Sequence, residues 1–188
     1  VAFDGLDYEL ASDYFQRVLE LPANERRLRS TWAAYSLGRA QAALGTPEGQ
    51  PAKMVPPSDA EYSHAMETAM RAARQAFQLT RQLSIEGFSE PLELGIASLG
   101  EEARLAKRAA DWAGAIGLYA SQYAQGSNSG YVSLRFVSGE LARMPDKALA
   151  PLLEQPQVRQ LLTLRLLSRI DVQWDPGVQS EAEKRLVR

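Results

Sequence analysis

Apolar residues recur at helical spacing along most of the chain, in segments separated by prolines, glycines and short polar runs. The clearest segment runs from Leu94 to Gln125 and breaks near Ala109–Asp111. Its first half lines up Leu94, Ala97, Leu99 and Leu105; its second lines up Trp112, Ala115, Ile116, Tyr119 and Tyr123. Two amphipathic helices joined by so few residues must fold back on each other to bury those faces. Gly100, Ala103 and Ala115 are small where the pair would cross, so the backbones can approach closely.

The same periodicity divides the rest of the chain. Residues 6–21 carry Leu6, Leu10, Ala11, Tyr14, Phe15, Val18 and Leu19 on one broad face, and Pro22 ends that helix. Asn24 to Leu44 follows, with Asn24 as N-cap, Gly45 just past the end, and Leu28, Trp32, Tyr35 and Leu37 on the buried side. Residues 45–58 hold four prolines and read as an inserted loop, either functional or a tolerated surface excursion. Ser58-x-x-Glu61 has capping-box form and opens a helix to about Ser84, which carries Ala65, Ala69, Ala72, Ala73 and Ala76 together with Phe77 and Leu83. Gly87 ends it, and Ser89 caps the 94–125 hairpin with Pro91 in the first turn. Beyond the turn at 125–130, helices are expected over 131–143, 145–153 and a Leu-rich 156–170. Residues 171–188 form a tail or the start of a further helix.

Leu37-Gly38 and Leu99-Gly100, with Trp112-x-x-Ala115-x-x-x-Tyr119, Ala11-x-x-x-Phe15 and Ala73-x-x-x-Phe77, make the chain resemble the tetratricopeptide-repeat (TPR) family. The Leu-Gly pairs are similar to that family's first helix, and the alanine–aromatic runs to its second. The resemblance covers residues 6–125; residues 129–170 follow as further antiparallel helices. The repeats are degenerate: Phe15 to Phe77 is 62 residues and Phe77 to Tyr119 is 42, against an ideal period of ~34. The resemblance implies an all-α fold, a right-handed α-α superhelix of stacked antiparallel hairpins. It would form one domain over 1–170 with the loop 45–58 inserted. Stacking is required because one hairpin cannot cover both of its apolar sides.

Composition narrows the function classes. Of the 188 residues, 45% are hydrophobic and 23% charged, which is ordinary for a folded protein. A net charge of −2 argues against a duplex nucleic-acid binder, which needs a basic face. With no cysteine, disulfides and thiolate chemistry are excluded. The longest uncharged stretch, Trp112–Leu134, contains Gln122, Gln125 and Asn128, so no membrane span is expected. The chain opens on Val1, which reads as a cut end. Cytoplasmic and exported (periplasmic) placements both stay open.

Little points to catalysis. His64 is the single histidine, and Glu61-x-x-His64 would need a second such motif and two further glutamates to hold a di-iron centre. Ser63 points away from His64 on a helix, and no GxSxG elbow exists. Glu101 and Glu102 diverge by ~100° on a helix and cannot act together on one atom. The expectation is that one pairs with Arg104 or Lys107 while the other is solvated. Arg26-Arg27-x-Arg29 opens a helix against its dipole, either as an anion contact or as a solvated basic face. No metal or cofactor is expected, nor a phosphate loop in Gly126–Gly130.

By resemblance, the first helices of successive units line a concave groove that binds an extended peptide or a partner's helix. Matching on the Leu-Gly pairs carries Trp32, Tyr35 and Arg39 to the groove, then Leu94, Glu101 and Arg104 from the next unit, and Arg135 from the helix after Gly130. Such a groove suits an acidic or carboxylate-ended peptide. The alternative for Trp32 and Tyr35 is that they seal the hairpin against Phe15. The function implied is a non-catalytic protein–protein interaction scaffold. Its alternative is an α-superhelical accessory arm of a larger enzyme, one acting on the cell wall among the candidates.

Overall fold

A computed structural model of the chain describes residues 7–49 and 58–168. They are helical, with no strand among the described residues, so the all-α class stands. In order the helices are α1 (Tyr8–Glu20), α2 (Ser30–Leu44), α3 (Asp59–Ile85), α4 (Leu94–Arg108), α5 (Trp112–Ala124), α6 (Asn128–Arg143), α7 (Asp146–Leu153) and α8 (Pro156–Ser168). A single 3-10 turn, Pro47–Gly49, lies within the inserted loop. The rest of that loop (50–57) and the tail expected at 171–188 lie outside the described residues. The chain divides into two compact units, Val1–Leu105 and Ala106–Arg188, and the division falls in the last turn of α4.

In the first unit, α1 packs on α2 and α2 on α3. Local caps fix where helices begin. Asp7 accepts the Leu10 N–H at 3.0 Å at the start of α1. Ser58 and Glu61 form the expected capping box, with the Ser58 N–H donating to Glu61 at 2.9 Å and the Glu61 N–H to the Ser58 hydroxyl at 3.3 Å. Two starts differ from expectation. Helix α2 begins at Ser30 rather than Asn24, because the Arg26 side chain turns back on the chain. Its Nε donates to the Leu21 carbonyl at 3.0 Å and its Nη1 to the Ser30 hydroxyl at 2.8 Å. The guanidinium also lies 5.1 Å over the Phe88 ring. Arg26 therefore satisfies a carbonyl at the end of α1, while its guanidinium stays beside the first residue of α2. Helix α4 begins at Leu94, and Glu90 rather than Ser89 supplies the acceptor for an early helical N–H, that of Gly95.

The core of this unit is made of small residues around one ring. Phe77 of α3 is wholly buried, with Ala73 and Leu105 beside it and Tyr35, Ala42 and Met70 packed partly against them. Burying such a ring contributes ~1.5–3 kcal/mol. Ala33, Ala34 and Ala40 of α2 and Ala69 and Ala76 of α3 are also buried, which lets the two helix axes approach closely. Gly38 makes the seat for Phe77: a Cβ there would stand 2.5 Å from the ring's Cε1. Leu99 is buried and Leu37 partly so.

In the second unit, α5 packs on α6, and α8 packs on α5, α6 and α7. Asp111 caps α5 by accepting the Gly114 N–H at 2.9 Å. Helix α6 starts three residues earlier than its apolar pattern suggests, at Asn128. Gly126, at φ 93°, turns the chain at once. Gly130 then lies directly on α5, where a Cβ would be 2.5 Å from the Tyr123 nitrogen and 2.6 Å from the Tyr119 oxygen. Ile116, Tyr119, Val137 and Leu141 fill the interior with Val158 and Leu162 of α8. Leu164 and Leu167, on the same Leu-rich helix, stay exposed.

Gly38→Ala tests the seat for Phe77. Alanine gains ~1 kcal/mol of helix propensity over glycine, but the ring it strikes is enclosed and cannot swing aside. A net loss of about 1–2 kcal/mol is expected in chemical denaturation.

Candidate functional site

Trp32, Tyr35 and Arg39 stand at i, i+3 and i+7 on α2, so they share one face. Trp32 meets Phe15 of α1 edge to face, at 5.2 Å between centroids and 86° between planes. It seals that hairpin, yet 47% of it remains exposed. Tyr35 is half-buried, 5.9 Å from the Phe77 ring, and its hydroxyl donates to Glu101 Oε1 of α4 at 3.1 Å. The same Glu101 oxygen lies 3.3 Å from Arg104 Nη2, one turn further along α4. Arg104 is mostly exposed, as is Arg39. Six of the seven expected groove residues thus lie on α2 and α4 of the first unit.

The electrostatics of this cluster centre on Tyr35. Burial pushes its pKa up to about 12; the negative charge of Glu101 and its hydrogen bond push the same way, against the opposing charges of Arg39 and Arg104. The phenol is therefore a neutral donor over the physiological range, tied to a carboxylate that also serves an arginine.

The neighbouring carboxylate departs from expectation. Glu101 does pair with Arg104, but Glu102 is not solvated: it is 8% exposed. It binds Arg81 Nη2 of α3 at 2.5 Å and accepts from Gln78 Nε2 at 3.0 Å. Arg81 in turn donates to the Ser98 hydroxyl at 3.1 Å. Lys107 belongs elsewhere, paired with Glu140 in the second unit at 2.8 Å. Arg81 and Gln78 carry no local signal. They sit three residues apart on α3, and only the packing of α4 gives that face a purpose.

The remaining candidates are dispersed. Leu94 is buried rather than displayed. Arg135 belongs to the second unit, on α6, with its guanidinium 5.9 Å over the Tyr131 ring. His64 is exposed on α3. No three His, Cys, Asp or Glu gather as a possible metal site among the described residues. No described helix is long and apolar enough to cross a membrane. The first unit also holds a cavity of about 410 Å³ between α1, α2 and α3, bordered by the amides of Gln16, Gln41 and Gln75. Comparisons with protein-family models, with curated proteins and with solved structures find no match.

Following the phenolate by near-ultraviolet absorbance, with Tyr35→Phe subtracted, should show Tyr35 ionising at about 12. Glu101→Gln should move that ionisation down while leaving it above 10, because burial persists. Since the folded pKa exceeds the unfolded value of ~10, the contribution to stability is complete below pH ~10 and vanishes as pH rises through the folded value.

Proposed function

We propose that this protein is a non-catalytic interaction scaffold of stacked helical hairpins, TPR-like in design, whose α2–α4 face takes an acidic or carboxylate-ended peptide. The observation that carries this reading is the half-exposed Trp32 in line with Arg39 on α2, beside Arg104 on α4. An exposed indole on the same helix face as Arg39, with Arg39 and Arg104 both acting on Tyr35 between them, suits a peptide anchored by an apolar side chain and fixed by its carboxylate. The Tyr35–Glu101 bond supports it by holding the two helices in one register, so the arginines are presented together. No group in the cluster is a nucleophile next to a base: Tyr35 is held protonated and Glu101 is already shared between a phenol and an arginine.

An array of peptides ending in acidic residues and a free carboxylate, set against their C-terminal amides, provides the test. The free-acid peptides should bind, and Arg39→Glu with Arg104→Glu should weaken them by at least about tenfold, or ~1.4 kcal/mol. Trp32→Ala should weaken acids and amides alike. Binding unchanged in the charge-reversed protein would reject the α2–α4 face.

A further inference from the structure

The second unit holds a cavity of about 300 Å³ between α5, α6 and α8 that the α2–α4 face does not involve. One wall is aromatic: Tyr123 of α5 and Tyr131 of α6, 5.6 Å apart at 39°. Leu134, Leu161 and Leu164 supply the aliphatic remainder. Tyr123 and Leu164 are more than half exposed, so the space opens outward. Besides the tyrosines, Ser138 and Ser168 line it, and its charged groups are of one sign. Arg135 and Arg165 border it, and no carboxylate does among the described residues.

The two arginines reach the border of the cavity from different helices, Arg135 from α6 and Arg165 from α8. Arg165 Nη1 donates to the Ser138 hydroxyl of α6 at 3.1 Å, while the Arg135 guanidinium lies over the Tyr131 ring, toward the start of the same helix. A pocket with greasy walls and two arginines at its border matches a ligand with an apolar body and an anionic head. Its volume sits at the small end of the ~300–1,000 Å³ range of ligand sites, which fits a small molecule rather than a partner's helix.

We propose that this cavity binds a small amphipathic carboxylate, its hydrocarbon body against Tyr123, Tyr131 and Leu161 and its carboxylate on Arg135 and Arg165. This site is independent of the peptide-binding face of the first unit, so the two stand or fall separately.

Decanoate, below its micellar concentration, is the probe, with decylammonium and decanol as cationic and neutral counterparts. Calorimetry on the full chain should show saturable binding of one decanoate, with decylammonium weaker by at least about tenfold. Amide chemical shifts should move at Tyr123, Tyr131 and Leu161. Arg135→Met with Arg165→Met should weaken decanoate by a similar factor without changing decanol. Leu161→Trp, which fills the space without altering charge, should abolish binding of both. Should the double arginine variant fail to fold, Leu161→Trp and the comparison of head groups on the unaltered protein still decide. Equal affinity for decanoate and decylammonium, or no saturable binding, would overturn the proposal. So would a dimer dispersed by Leu164→Glu and indifferent to decanoate, which would give this face to a second copy.

Discussion

Two adjacent carboxylates on one helix connect the core of the first unit to its candidate site. Glu101 and Glu102 leave α4 in directions ~100° apart, and each is claimed by a different earlier helix. Glu102 reaches α3, where Arg81 and Gln78 bind it; Glu101 reaches α2, where Tyr35 does. The Glu102 pair is largely removed from water. Such a pair adds little net stability, because its desolvation offsets most of its attraction, but removing one partner strands the other and costs ~3–5 kcal/mol. Its main consequence is positional: α4 can settle in one register on α3, and that register sets Glu101 under the Tyr35 hydroxyl.

Small residues make this arrangement sterically possible. With alanines on the inner faces of α2 and α3, and Gly38 opposite Phe77, the helices approach until a single ring fills the space between them. Tyr35 packs on the edge of that ring and is half-buried for the same reason, which is what raises its pKa. Core packing and site electrostatics are thus two consequences of one close approach. The second unit uses the same device at Gly130, where α6 lies on the backbone of α5.

How much of this was legible in the sequence depended on whether the cause was local. The period of the apolar residues gave the helices, and the Ser58–Glu61 box was readable because its partners are three residues apart. The starts of α2 and α4 differ from the sequence pattern because side chains reach past their neighbours: Arg26 back to Leu21, and Glu90 forward to Gly95. The site divides in the same way. Trp32, Tyr35 and Arg39 share a face by spacing alone, and Glu101–Arg104 is an i, i+3 pair. That Glu102 would be buried was invisible, since its cation lies 21 residues earlier in the chain. Arg135 could be placed on a helix, but nothing in the sequence gave it Tyr131 and Arg165 as surroundings in another unit.

If Glu102 sets the register of α4, then disturbing it must be felt at Tyr35, which it does not touch. The most direct measurement is the Tyr35 ionisation in an Arg81→Met/Glu102→Leu double variant, which removes the pair while leaving Glu101 intact and no stranded charge. With helix content retained, the account predicts that the pKa falls from about 12 toward the ordinary tyrosine value as Glu101 drifts from the hydroxyl. A value still near 12 in the folded variant would show that α4 is held in register by apolar packing alone, and would contradict it.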